Sequence, residues 1–126
     1  MLNINSETVC FLIERAREFQ LQQSDIRSDN DSRDSDTLGR DASAEVYDPA
    51  YRDFKTTIED LEPDQQVEVV AMMWLGRGDF SIEEWPQALQ QAGDSWNRRT
   101  AEYLIGTPLM ADYLLEGLQA HGLGCD

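Results

Sequence analysis

One histidine, one lysine and two cysteines in 126 residues leave little material for several kinds of chemistry. The sole histidine, His121, sits close to the end of the sequence, where a Ser-His-Asp or Cys-His arrangement would have to be built on the end of a helix. That position suits a helix cap and dipole partner better. Paired Glu-x-x-His motifs of a helical di-iron site are missing, and so is a Gly-Lys-Ser/Thr phosphate loop. No catalytic residue, cofactor or metal is therefore expected. Cys10 and Cys125 make no disulfide framework, and both are read as reduced thiols. Cys10 has no nearby His or Lys to lower its pKa, so it reads as a small, half-buried apolar residue. No apolar run approaches membrane-spanning length. The opening Met-Leu-Asn-Ile-Asn-Ser-Glu lacks the basic region and apolar run of an export signal. A cytoplasmic protein with no membrane partner is the expectation. Basic residues are scarce too: ten against 25 acids. A nucleic-acid binder needs a basic footprint to displace counterions, so no nucleic acid is expected.

What is abundant is negative charge. The formal net charge is −15, of which residues 22–48 carry −5, so the acidity is not confined to one segment. Such a surface is highly soluble. It also fits a basic protein partner, mimicry of nucleic acid, or a salty cytoplasm. At this length one domain buries roughly two-thirds of its unfolded surface and requires no staple.

Residues 63–75 read as the central element. Val67, Val70, Ala71, Trp74 and Leu75 form one stripe, while Val69, Met72 and Met73 lie off it. A helix apolar all round is normally enclosed by others. Before it, Val9, Leu12, Ile13, Ala16 and Phe19 give helical spacing over about residues 6–22, with Ile4 and Val9 as a staple and Asn5 or Ser6 as N-cap. Residues 23–47 read as a flexible acidic linker, since they hold too little apolar bulk to offset their ordering. Their aspartates do not match a calcium loop, which needs Gly at the sixth and Glu at the twelfth position. Asp48-Pro49 starts a helix whose face is Tyr51, Phe54, Ile58 and Leu61. Glu59, Asp60, Glu62 and Asp64 crowd the next turn as solvated carboxylates. Gly76 or Gly78 ends the central helix, and Ser81 with Glu84 forms a capping box. Arg77-Gly78-Asp79, though an adhesion tripeptide by letters, is explained by that turn. Trp85, Leu89, Ala92, Trp96 and Tyr103 then form a stripe over about 82–104, with Pro86 late for a first turn and a break at Gly93-Asp94-Ser95 as the alternative. After Gly106, Thr107 caps a last helix that buries Leu109, Tyr113, Leu114 and Leu118 and ends at Gly122.

Two stretches carry a family resemblance. Met73-Trp74-Leu75-Gly76-Arg77-Gly78-Asp79-Phe80 is one. The other runs from Asn97-Arg98-Arg99-Thr100-Ala101 to Gly106-Thr107-Pro108-Leu109-Met110-Ala111-Asp112-Tyr113-Leu114. Together with Leu2-Asn3-Ile4-Asn5 and Thr8-Val9, they resemble a bacterial family known as domain of unknown function 3775. The resemblance covers nearly the whole chain, the acidic linker being its loosest part. It implies a domain and supplies no activity.

The fold expected is all-α, a compact bundle of about five helices around the 63–75 helix, in a single domain over 1–126. The candidate polar cluster is Arg77, Asp79, Asn97, Arg98, Arg99 and Asp112. Arg99 falls on the apolar stripe, where an unpaired charge is very costly. It should therefore latch to Asp79 or Asp112, or else serve an anion or peptide-carboxylate pocket. The leading functional reading is a non-enzymatic cytosolic module that binds a protein partner or a second copy of itself. A small-ligand or metal-dependent binder or enzyme, built on the Arg and carboxylate cluster, is the alternative. An acidic nucleic-acid mimic is the third.

Overall fold

The computed structural model describes residues 2–29 and 49–125, and among them it contains six α-helices, one short 3-10 turn and no strand. The helices are α1 (Ser6–Asp29), α2 (Pro49–Asp60), α3 (Pro63–Arg77), α4 (Trp85–Asp94), α5 (Thr100–Ile105) and α6 (Met110–Ala120), with the 3-10 turn Ile82–Glu84 leading into α4. The fold is the expected all-α bundle. Most of the segment read as a linker lies outside the described residues. Its first part does not behave as expected, because α1 continues to Asp29.

The central rod is enclosed. Val69, Ala71, Met72 and Met73 have no exposed surface, and Val70 and Leu75 are buried beside them. α6 packs along one side of the rod and α4 along another, while α1 packs on α2 and α6. The α1 stripe Val9, Leu12, Ile13, Ala16 and Phe19 is wholly buried. Asn5, not Ser6, caps α1: its Oδ1 accepts the Glu7 N–H at 2.8 Å.

Two glycines let α3 and α6 meet backbone to backbone. A Cβ on Gly76 would collide with the Tyr113 carbonyl, and one on Gly117 with the Met72 carbonyl. Gly76 therefore lies within α3 as a contact residue. Gly78 is the one that ends the helix, in the left-handed conformation at φ 94°, as a residue without Cβ readily does.

Two polar residues of the rod are also buried. Glu68 is 3% exposed. Its carboxylate accepts the Asn3 N–H (2.8 and 3.0 Å) and the Ile4 N–H (2.8 Å), tying the N-terminal segment to the rod. Gln66 donates from Nε2 to the carbonyls of Ile58 (2.9 Å) and Leu61 (3.1 Å), closing the end of α2.

Three expectations are corrected. The long fourth helix is two helices: α4 stops at Asp94, where Ser95 Oγ donates to the Gln91 carbonyl at 2.9 Å. Pro86 then falls in the first turn of α4, where its missing N–H costs nothing. The last helix starts at Met110, not after Thr107. Thr107 Oγ1 instead bonds back to the Tyr103 carbonyl at 2.9 Å, and Leu109 turns outward, 58% exposed at φ 60°. Finally, Cys10 and Cys125 form a disulfide, with Cα atoms 5.6 Å apart and a sequence separation of 115. The reduced thiols expected are absent, and with them goes the thiol argument for a cytosolic location. The tail reaches α1 because Gly122, at φ 80°, reverses the chain after α6.

Gly117→Ala should lower the unfolding free energy by about 3 kcal/mol or more, since backbone would have to move. Gly93→Ala, in α4 with nothing within 4 Å of the added carbon, should raise it by about 0.5–1 kcal/mol. Urea denaturation of the two variants checks the contrast, and equal effects would contradict it. Cys125→Ser should cost about 2–5 kcal/mol in non-reducing buffer, the range for losing a long-loop disulfide. The same denaturation curve with and without reductant measures it.

Candidate functional site

Val67, Val70 and Trp74 recur at helical spacing, so they share one face of α3. The end of α4, the loop 95–99 and the start of α5 pass in front of that face and leave a groove of about 490 Å³. Ala92, Trp96, Arg99, Thr100 and Tyr103 complete its walls, with Ser95, Asn97 and Glu102. The volume is in the range of small-ligand sites.

The loop keeps its shape through local bonds. Asn97 Oδ1 accepts the Arg99 N–H at 2.7 Å, and Thr100 Oγ1 donates to the Asn97 carbonyl at 2.9 Å. The aromatic walls are anchored too. Trp74 Nε1 donates to the Tyr103 hydroxyl at 2.8 Å. Trp96 Nε1 donates to Gln66 Oε1 at 2.8 Å, so the residue that closes α2 also fixes this ring. Trp96 remains 38% exposed and Tyr103 44%.

Beyond Trp74 and Tyr103 the surface dips again into a shallower depression of about 730 Å³, lined by Arg77, Asp79, Phe80 and Asp94 among others. Phe80 stacks on Trp74 with centroids 6.1 Å apart. Arg77 Nη2 and Nε donate to Asp79 Oδ2 at 2.7 and 2.9 Å. That bond to Asp79 raises the Arg77 pKa above its ordinary value.

The expected cluster is thus only partly assembled. Arg77 and Asp79 pair in the depression, and Asn97 and Arg99 lie on the groove. Arg98 is exposed and lines neither. Asp112 belongs to α6, where it faces Arg17 of α1 at 3.9 Å. The latch expected of Arg99 does not form. The break after Asp94 takes Arg99 off the buried stripe, so it stands in solvent and needs no carboxylate. By period alone Trp74, Trp96 and Tyr103 belong to core stripes. The Gly93-Asp94-Ser95 break is the sequence signal that turns the latter two outward.

Glu102 is the acid of the groove. Its carboxyl is held below the ordinary range by a backbone N–H of its own residue, against burial, with help from Lys55 and Arg99. Lys55 of α2 lies 3.4 Å from Oε2, while Oε1 is buried with no hydrogen-bond partner among the described residues. His121 is remote from this region. It stands edge-on to Trp85 with ring centroids 4.3 Å apart, and burial pushes its pKa below 6.5. It is the C-cap of α6, its backbone N–H bonded to the Leu118 carbonyl, as expected of a cap, while its burial disfavours the charged form that a dipole partner would need. Among the described residues no three His, Cys, Asp or Glu side chains are grouped to hold a metal, and no helix is long and apolar enough to cross a membrane.

The family model described as Protein of unknown function (DUF3775) matches residues 51–123, more than half of the chain and a narrower span than the resemblance in sequence covered. No curated protein and no solved structure matches.

Gln66→Leu should lower the unfolding free energy by about 1–3 kcal/mol, because it leaves the Leu61 carbonyl without its donor and the Ile58 carbonyl with the Leu61 N–H alone. It should also release the Trp96 ring, read as stronger acrylamide quenching of tryptophan fluorescence. Unchanged quenching would mean that Gln66 does not hold the groove wall.

Proposed function

We propose that this chain, which belongs to the DUF3775 family of unknown function, is a binding module without catalytic activity that takes a segment of a protein partner in the groove in front of α3. One observation carries this reading. The polar atoms of the aromatic walls are spent inside the protein, Trp74 on Tyr103 and Trp96 on Gln66, while Trp96 and Tyr103 keep over a third of their surface exposed. Walls of this kind offer apolar ring surface already held in position. A ligand that buries it gains the hydrophobic term without the entropy cost of ordering the site. Tryptophan and tyrosine in fixed positions are the usual anchors of protein contacts. The carboxylate of the groove, Glu102, is committed to Lys55, and Asp79 beyond it to Arg77, so neither is poised as a free acid or base, while Arg99 keeps an uncommitted guanidinium.

Selection of peptides from a random library on the intact protein tests this. The selected peptides should bind with micromolar affinity and lose about tenfold or more on Trp96→Ala, the scale of an exposed aromatic anchor. Circular dichroism of that variant should remain helical. No enrichment, or peptides indifferent to Trp96, would overturn the reading.

A further inference from the structure

We infer that the groove recognises the C-terminal end of a peptide chain, with the carboxylate on Arg99 and an apolar last side chain against Trp96 and Tyr103. This rests on the groove being the binding site, as proposed above.

Charge is the first ground. The chain has 25 acids and ten bases. Arg15, Arg17, Lys55 and Arg77 each pair with a carboxylate, whereas Arg52, Arg98 and Arg99 do not among the described residues, and of these three Arg99 alone lines the groove. Arg99 has no ion-pair partner among the described residues, although it is exposed on the groove wall. The nearest candidate within the groove, Glu102, is engaged by Lys55 and interacts with Arg99 only beyond ion-pair distance. Arg98 adds a second exposed guanidinium beside it.

The total charge of −15 then limits what the anion can be. At long range the protein repels anions, so a polyanion such as nucleic acid is disfavoured. A single carboxylate can still bind, because two parallel N–H donors of a guanidinium act at contact distance. The position of the cation limits the ligand further. Arg99 follows Trp96 by three residues in the same short loop, and both line the same wall. The acid and the apolar group must therefore be close together on the ligand. A chain end with an apolar last residue carries both on one residue. A groove of about 490 Å³ also accommodates two or three residues and not a helix.

The experiment uses three probes on the full chain, by calorimetry: acetyl-Ala-Ala-Phe with a free carboxylate, the same peptide amidated, and 3-phenylpropionate. The free acid should bind about tenfold or more tightly than the amide, the scale of a charge-assisted contact. Arg99→Gln should bring the two peptides to similar affinity, and Arg98→Gln should leave most of the difference. Arg99 is exposed, so its substitution leaves the fold intact. If amide and acid bind alike, the carboxylate assignment falls while the groove stands. If 3-phenylpropionate matches the peptide acid, the ligand is a free small acid and the chain-end assignment falls. If none binds while library peptides still depend on Trp96, the inference falls alone. If those peptides fail as well, it falls together with the proposed function.

Discussion

The contact on which the bundle depends is the crossing of α3 and α6 at Gly76 and Gly117. Each glycine admits the other helix's backbone where a side chain would collide with a carbonyl. Helices normally pack with 8–10 Å between axes, set by the side chains at the contact. Removing both side chains at one crossing brings the axes closer and leaves no room for adjustment. Met72, which meets Gly117, has no exposed surface, and neither has Leu114 or Leu118 on the α6 side. A rod pressed this closely against one neighbour can be apolar on that side without ambiguity of register.

The remaining sides of the rod are fixed by two polar residues that belong to it. Glu68 takes the backbone N–H groups of Asn3 and Ile4, and Gln66 holds the carbonyls of Ile58 in α2 and of Leu61 just past its end. Buried polar groups are tolerated where each finds partners, and here the partners are backbone atoms at chain and helix ends. The rod therefore orders the segments on either side of it. Because Gln66 also accepts from Trp96, the same residue links the core to the groove. The position of a solvent-facing ring is thus set by a bond from the interior.

The rod was legible in the sequence because its signal is redundant. Val69, Met72 and Met73 are apolar where an amphipathic helix would be polar, and all three are buried. Gly76 was legible only as a helix stop, since its close approach to Tyr113 depends on a helix far away in sequence. The groove was hidden for a related reason. Trp96 and Tyr103 continue the stripe of Trp85, Leu89 and Ala92 in period, and periodicity cannot see that Ser95 ends α4 by bonding to Gln91. Once the axis changes direction, the same residues face outward and Arg99 goes with them. The left-handed turn at Leu109 was hidden because leucine rarely adopts it. The Cys10–Cys125 bond was hidden because nothing local relates two residues 115 positions apart.

The family match separates these features. It spans 51–123, which contains every residue of the groove and both glycines of the crossing, and leaves out α1 and both cysteines. Yet α1 is not an accessory. Val9, Leu12 and Ala16 have no exposed surface and Phe19 stacks edge-on against Phe54 of α2 at 5.6 Å. A unit limited to the matched span would expose Phe54 and the α6 face that α1 covers, an apolar area that a stable monomer does not leave open. The groove and its rod thus form the part of the architecture that the family definition captures, and the helix that keeps water off their far side is joined to it by packing here, with the disulfide closing the chain's tail over it.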